Sequence, residues 1–328
     1  MATQNEKTTV LPGLLSTVAA GFDVVTSHLW LVVFPITLDL FYWLGPQLRT
    51  SELLLSLASL FREVGALTEV ADQLADVAGR TNLFTVLSVP FLGIPGLVAG
   101  IVMPERTPLQ PLVWEIRSPG SLLLLFVAIS FLGLLASTIF HAFVARAVCN
   151  RSLDECQMFE TPGQSPWLSV LRRLPIYYLR VLALTLLLLL IVLALYIPLV
   201  LVAAVSTLIS AVIGSLVMLG GLLMIVWVIF YLSFGLHGVL LRERPVFLAV
   251  LDSMRLVQRN WLPALTLFLL IIAARNLLSW IWLVVDAGSW LTLVNIAGYA
   301  FVNTGLIAAT FIFFRDRIRL QEQGFINE

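Results

Sequence analysis

The segment Val181–Leu241 reads VLALTLLLLLIVLALYIPLVLVAAVSTLISAVIGSLVMLGGLLMIVWVIFYLSFGLHGVLL and contains no Asp, Glu, Lys or Arg. A helix needs about 20 mostly apolar residues to cross a hydrocarbon layer about 30 Å thick. The segment is therefore long enough for two crossings, which we place at Leu179–Val205 and Ala211–Leu241. The sequence predicts a hairpin of two membrane-spanning helices here.

The composition of the whole chain extends this prediction to a multi-pass membrane protein. Of its 328 residues, 60% are apolar and only 12% are charged. Soluble domains carry roughly 25% charged residues and about 45–50% apolar ones. The 19 basic and 19 acidic residues cancel, which excludes a nucleic-acid binder driven by its net charge.

Four further apolar runs bring the predicted number of transmembrane helices to six. Together with the first two they predict an all-α, polytopic membrane helix bundle. The additional runs are His28–Gly45, Ser121–Val148, Trp261–Val285 and Trp290–Phe314.

The distribution of arginine orients these spans, because short cytoplasmic loops carry an excess of Lys and Arg. The links at Ser206–Ser210 and Asp286–Ser289 contain neither residue type. This alternation predicts a cytoplasmic N-terminus, a cytoplasmic C-terminus and an extracytoplasmic loop at residues 46–120. The arginines in the opposite segments are Arg151, Arg172, Arg173, Arg242, Arg244, Arg255, Arg259, Arg315, Arg317 and Arg319.

One apolar stretch within the loop, residues 82–103, reads NLFTVLSVPFLGIPGLVAGIVM. Pro90 and Pro95 would interrupt a helix, since each lacks a backbone donor and clashes with the preceding turn. We interpret the stretch as re-entrant or interfacial. The alternative, a true span, would place the arginine-rich segments outside.

Three similar units follow one another along the chain. WLSVLRRLPIYYLRVLALTLLLL from Trp167 and FLAVLDSMRLVQRNWLPALTLFLL from Phe247 each place an amphipathic stretch before a span. Such a stretch is typical of a helix that lies in the headgroup layer. We predict three hairpin repeats with interfacial helices, comprising residues 1–148, 149–241 and 242–328. The first repeat also carries the external helical loop.

The stretch LDSMRLVQRNWLPALTLFLL at Leu251–Leu270 resembles poorly characterised bacterial multi-pass membrane families. One of these is the membrane domain that is fused to glycerophosphodiester phosphodiesterases. The resemblance covers the membrane module alone. It implies a protein of the bacterial cytoplasmic (inner) membrane, with no known catalytic residues and no enzymatic activity.

Two charges enter the predicted spans deeply, Asp39 and Arg275. A central arginine costs about 2.5–3.5 kcal/mol on insertion scales, so it normally faces a partner or the bundle interior. We predict an intramembrane Asp39–Arg275 pair, acting either as a structural clamp or as a substrate or proton site. Further candidates for the same polar interior are Asn276, Asn295 and Asn303.

The histidines and cysteines give two weaker predictions. His141 and His237 precede an arginine near the inner ends of their spans; they are either interfacial residues or ligands of a pigment or haem. Cys149 and Cys156 should be reduced thiols on the cytoplasmic side. Their spacing is a poor zinc signal, and no catalytic or metal-binding motif occurs.

A heptad pattern runs through the external loop and predicts one helix of about 28 residues, about 42 Å long. Its apolar seam would be covered by the re-entrant segment of the same chain, by the membrane, or by a partner protein or second copy bound to the helix at residues 51–80. The seam residues are Leu57, Leu60, Val64, Leu67, Ala71, Leu74 and Ala78.

Three functional classes remain open from the sequence. The first is a non-catalytic accessory or scaffold subunit, or a lipid-associated membrane module. The second is a transporter or permease for a small or lipidic solute that uses Asp39 and Arg275. The third is a pigment- or haem-binding subunit, which the absorption spectrum of the purified protein would identify.

Overall fold

The computed structural model describes residues 13–64, 68–88, 93–98, 107–150, 166–282, 285 and 288–326. Helices make up most of this part of the chain, and two short strands accompany them. The helices are α1 (Leu14–Ser27), α2 (Val33–Leu44), α3 (Ser51–Val64), α4 (Thr68–Ala78), α5 (Pro119–Asn150), α6 (Pro166–Ile209), α7 (Ala211–Leu232), α8 (Gly235–Leu241), α9 (Val246–Arg259), α10 (Trp261–Trp282) and α11 (Thr292–Ile326). The strands are β1 (Gln47–Arg49) and β2 (Val113–Glu115), and 3₁₀ turns cover Leu29–Val32 and Leu83–Leu87.

Five helical segments within the described residues are long and apolar enough to cross a membrane. They are α5, α6, α7 together with α8, α10 and α11. A sixth crossing results if α1 and the helical residues up to Leu44 count as one span bent by 93°. The prediction of an all-helical, multi-pass membrane protein is confirmed at this level.

The first predicted span, His28–Gly45, is not a single helix. Its α-helical part, α2, has 12 residues, about 18 Å at 1.5 Å per residue, which is short of the hydrocarbon thickness. His28 has non-helical backbone angles and ends α1. Pro35 lies in the first turn of α2, where its missing N–H costs little. The chain therefore turns sharply between α1 and α2.

Helix α6 is longer than predicted. It runs without interruption for 44 residues, so the predicted interfacial helix and the span at Leu179 form one rod about 66 Å long. The single residue Ser210 joins it to α7. The two helices pack closely as an antiparallel pair. Their close approach is seen at Gly221, where an added Cβ would lie 2.0 Å from Leu199 Cδ1.

The element that precedes each predicted span takes a different position in each unit. Helix α1 packs along α11, the corresponding part of α6 continues its span, and α9 is a separate helix against α8. The threefold repeat stays a prediction.

Helix α11 is the central helix of the bundle. Two thirds of its most apolar stretch is buried, whereas almost none of α6 is. The main hydrophobic cluster joins Ala308 and Phe311 of α11 to Phe140 and Val144 of α5. Five other helices contact α11 as well, namely α1, α2, α8, α9 and α10.

The contact between α1 and α11 is made by glycines. A Cβ at Gly21 would lie 2.5 Å from the carbonyl oxygen of Gly305 and 2.7 Å from the Ala309 nitrogen. A Cβ at Gly305 would lie 2.7 Å from the ring of Phe22. Small residues allow such close approach of helix backbones in membrane proteins.

The loop at residues 46–120 forms a small unit rather than one long helix. Its heptad seam divides between α3 and α4, which fold back on each other. Arg62 and Asp72 form an ion pair of 2.7 Å, although ten residues of a continuous helix would separate them by about 15 Å. At the other end, Thr50 Oγ1 lies 3.0 Å from Thr81 Oγ1.

The prediction of an uninterrupted 42 Å helix is therefore wrong. A straight helix would leave its apolar stripe uncovered, and folding back buries Ala58, Ala71 and Ala78. Leu57 and Leu60 of the predicted seam are exposed. Leu74 is half-buried, whereas Leu67 and the side chain of Val64 lie outside the described part of the chain. Strands β1 and β2 pair in parallel and bring the two ends of the loop together.

We expect Gly21→Ala to destabilise the protein by about 1–3 kcal/mol, because the added methyl group overlaps the α11 backbone. The measurement is thermal unfolding in detergent. Gly220→Ala is the matched control, since a Cβ at Gly220 meets nothing within 4 Å and should be neutral or slightly stabilising. Equal effects of the two substitutions would contradict the close α1–α11 contact.

Candidate functional site

A cavity of about 410 Å³ lies within the helical bundle. Its walls come from α5, α6, α7, α8, α10 and α11, and from residues 93–96 of the predicted re-entrant segment. Cavities of this size with mainly apolar walls and a few polar groups are typical of small-molecule sites. The polar or charged lining residues are Ser88, His141, Ser233, His237, Arg275, Tyr299 and Thr310.

Arg275 supplies the positive charge of the cavity. Its Nε donates a hydrogen bond of 2.6 Å to Asn303 Oδ1, and Asn303 Nδ2 donates to the Tyr299 carbonyl at 3.0 Å. Within the described residues, no carboxylate lies in ion-pair distance of the guanidinium and no other hydrogen bond reaches it. The charge is permanent, since arginine keeps its proton in proteins.

Asp39 does not pair with Arg275, and the predicted ion pair is absent from the structure. The carboxylate is fully buried and accepts hydrogen bonds from the backbone N–H groups of Leu97, at 2.8 Å, and Val98, at 3.0 Å. These amides lie outside a regular helix, so they need an acceptor from elsewhere in the protein. Asp39 therefore holds the backbone of the broken segment in place, and the predicted clamp through Arg275 does not form.

Within residues 82–103, the described parts form no continuous span. Asn82 starts the 3₁₀ turn at Leu83–Leu87, its Oδ1 accepting from Phe84 N at 3.2 Å and from Leu48 N at 3.1 Å. Residues 93–96 have no regular structure and line the cavity, and residues 89–92 and 99–103 lie outside the described chain.

Helix α2 holds this broken segment at two places. Besides the Asp39 clamp, Tyr42 Oη lies 3.1 Å from Ser88 Oγ. Ser88 lines the cavity, so both contacts of α2 position the wall of the site.

An apolar groove of about 710 Å³ lies beside the cavity. Its lining includes Trp30, Phe34, Leu38 and the exposed Val33. Ile94 lines both the groove and the cavity. One side chain of the broken segment therefore stands between the outer groove and the interior.

His141 and His237 are buried within the bundle, and the interpretation that they lie at the membrane interface stays a prediction. Their exposed fractions are 5% and 7%, since α11 and the α7–α8 region cover them. Both rings contact Phe311, with centroid distances of 6.2 Å and 4.2 Å, and both line the cavity.

The three asparagines predicted for a polar interior take different positions. Asn303 is fully buried and Asn295 is 5% exposed. Asn276 is exposed, and its Nδ2 donates to the Ile272 carbonyl of its own helix at 2.9 Å. Asn303 is thus the member of the set that reaches the cavity arginine.

The described residues contain no group of three or more His, Cys, Asp or Glu side chains suited to hold a metal ion. Cys149 is disulfide-bonded, which differs from the reduced thiol that we expected. Cys156 lies outside the described residues.

Sequence reasoning missed several residues that shape the site. Thr310 and Tyr299 line the cavity, but a threonine and a tyrosine in an apolar helix carry no distinctive signal.

Glu243 has a positive φ of 51°, a strained conformation for a residue other than glycine. Its carboxylate accepts from Arg173 and from Tyr177 Oη, which fixes the connection between α8 and α9 to α6.

No family model, curated protein or solved structure matches this chain. The resemblance to the membrane domain of glycerophosphodiester phosphodiesterases stays a prediction, and function has to be argued from the site itself.

We expect Asp39→Asn and Arg275→Gln to have independent effects on stability, because the two side chains have separate partners. Asp39→Asn should cost about 1–3 kcal/mol, since it replaces an acceptor of a buried amide with a donor. The double variant should equal the sum of the single ones within about 0.5 kcal/mol. Thermal unfolding of all four proteins measures this. A coupling energy above about 0.5 kcal/mol between the two substitutions would contradict their independence and favour the ion pair.

Proposed function

We propose that this protein is a non-catalytic transporter that binds an anionic, partly apolar solute in the interior cavity. The observation that carries the proposal is the Arg275 guanidinium, which lines a largely apolar cavity without a counter-ion among the described residues. An arginine inside a membrane is costly and marks a substrate or ion pathway in many membrane proteins. A bound anion would give Arg275 the partner that Asp39 does not provide.

The walls of the cavity indicate which part of the solute is apolar. Leu184, Leu188, Leu232, Ile271 and Leu306 are among its lining residues, and they suit an alkyl chain or ring beside the charged group. A lipidic solute therefore fits this lining better than a small inorganic ion does.

The outer groove suggests how such a solute reaches the cavity. Its lining is apolar except for Thr37, so an acyl chain could enter it from the bilayer. Displacement of Ile94 would then connect the groove to the cavity, since that residue lines both.

Interrupted helices beside the cavity favour transport over static binding. Transporters commonly build their sites from broken helices near the membrane centre. Here α7 and α8 are separated at Ser233 and Phe234, and Ser233 lines the cavity. The hydroxyl of Ser253 on α9 accepts from Phe234 N at 3.1 Å and donates to the Tyr231 carbonyl at 2.7 Å, so the break is supported by a side chain.

A second candidate is the accessory or scaffold subunit. The observation that favours it is the α6–α7 pair, whose apolar surface is almost entirely unburied within the chain and is available to another membrane protein. Gentle purification from the native membrane separates the two candidates. A stoichiometric partner chain would support the subunit, and recovery of a bare monomer would count against it.

The proposed topology has six spans in a bacterial inner membrane, counting the bent α1–α2 segment as one crossing. Both termini and the arginine-rich segments lie in the cytoplasm, with the α3–α4 unit outside.

We expect a C-terminal green fluorescent protein fusion to fluoresce and a C-terminal alkaline phosphatase fusion to be inactive. Fusions after Arg80 should behave in the opposite way. The reverse pattern would overturn the orientation, and would fit the disulfide at Cys149, since disulfides form in oxidising compartments.

We expect the protein in nanodiscs to bind decanoate but neither decanol nor decylamine, as measured by isothermal titration calorimetry. Arg275→Gln should weaken decanoate binding by about tenfold or more, because a charge-assisted hydrogen bond contributes roughly 1.5–3 kcal/mol. Arg255→Gln makes the same change of charge on an exposed side chain and should leave binding unchanged. Equal binding of the three probes would contradict an anion site.

A further inference from the structure

His141 and His237 give the cavity two hydrogen-bonding groups that the binding of an anion by Arg275 does not use. Both line the cavity and both contact the ring of Phe311. A neutral imidazole has one nitrogen that donates and one that accepts. Which nitrogen remains available toward a ligand therefore depends on the partner of the other one.

For His141, the backbone decides the tautomer. Its Nδ1 lies 2.9 Å from the carbonyl oxygen of Ser137, and a carbonyl oxygen can only accept. Nδ1 therefore carries the proton. Nε2 is left as an acceptor, and no hydrogen bond joins it to the part of the chain that the structure describes.

For His237, Thr310 decides the tautomer. Its Nε2 lies 2.9 Å from Thr310 Oγ1, and that hydroxyl donates its own hydrogen to the Ile307 carbonyl at 2.7 Å. Thr310 can therefore only accept from the imidazole, and Nε2 carries the proton. Nδ1 is left as an acceptor, and it is buried without a hydrogen-bond partner among the described residues.

Two acceptor nitrogens thus belong to side chains that line the same cavity, and each lacks a donor in the described chain. A buried acceptor without a donor costs free energy that a ligand can recover. The lining hydroxyl of Thr310 cannot serve, since its hydrogen is already used. His237 Nδ1 has almost no accessible surface, so the acceptor that a molecule in the cavity can reach is Nε2 of His141. Such a molecule can supply the donor that this nitrogen lacks.

We propose that the solute is a hydroxylated amphipathic acid, whose anionic group pairs with Arg275 and whose O–H donates to Nε2 of His141. This inference rests on the proposed function and narrows its substrate class from any lipidic anion to one with a hydrogen-bond donor near its charged end. A site built to pair with a donor rejects the analogue that lacks it, because its own polar groups then stay unpaired.

The test compares five probes of similar size on the full-length protein in nanodiscs, by isothermal titration calorimetry. They are decanoate, the 2- and 3-hydroxydecanoates, and the corresponding methoxydecanoates, which keep the oxygen but lose its hydrogen. We expect the better hydroxy acid to bind about tenfold or more tightly than decanoate. The methoxy acids should bind no better than decanoate.

A variant assigns the effect to His141. His141→Phe keeps a ring of similar shape without an acceptor, and should bring the hydroxy acid to the affinity of decanoate while decanoate binding is unchanged. His28→Phe is the matched control, because His28 is not a lining residue of the cavity and its Nδ1 is bonded to the Val24 carbonyl at 3.1 Å. The His28→Phe variant should still bind the hydroxy acid more tightly than decanoate.

The outcomes separate the two proposals. If Arg275→Gln abolishes binding but all probes bind the original protein equally, the anion site stands and the donor inference is overturned. If none of the probes binds, both the anion site and the donor inference are overturned. If His141→Phe does not fold, the comparison of hydroxy and methoxy acids on the unaltered protein decides the inference alone.

Discussion

Every backbone N–H and C=O inside a membrane has to find its partner within the protein, and the interior of this molecule is built around that constraint. Long helices satisfy it by their own hydrogen bonds, but two places beside the cavity do not. At the broken segment the Asp39 carboxylate accepts from the amides of Leu97 and Val98. At the break between α7 and α8, the Ser253 hydroxyl serves both a free amide and a free carbonyl. These side chains allow irregular backbone, and hence a cavity, inside a bundle of otherwise regular helices.

The central position of α11 connects this interior to the rest of the bundle. It carries Asn303, which positions Arg275, and Thr310, which sets the tautomer of His237. The same helix meets α1 at Gly305, in near contact of the two backbones. The residues that hold the bundle together and those that shape the cavity therefore lie on one element, a few turns apart. A shift of α11 would therefore change both the packing of the bundle and the shape of the cavity.

Local sequence patterns predicted the helical membrane architecture well, because apolar length and proline position act within one segment. The break at Pro95 followed from the sequence for that reason. Partners distant in the chain did not. Asp39 and Arg275 are the two charges that the sequence predicts to lie deep in the spans, and they have opposite signs. In the structure, the Asp39 carboxylate instead accepts hydrogen bonds from two backbone amides that lie outside a regular helix. The heptad pattern in the loop described real apolar positions, yet periodicity is the same for a straight helix and for two that fold back. The Arg62–Asp72 contact distinguishes them, and no local pattern encodes it.

The length of the α6–α7 pair has a consequence for the surrounding lipid. From Val181 to Ile209, α6 has no charged residue, and its apolar length is about 43 Å at 1.5 Å per residue. To fit a hydrocarbon layer about 30 Å thick it would have to tilt by about 45°, beyond the 0–40° found among transmembrane helices. Tilt alone does not remove this hydrophobic mismatch. Bending at Pro198, which lies inside α6, and local thickening of the bilayer are the two ways to accommodate the remaining length.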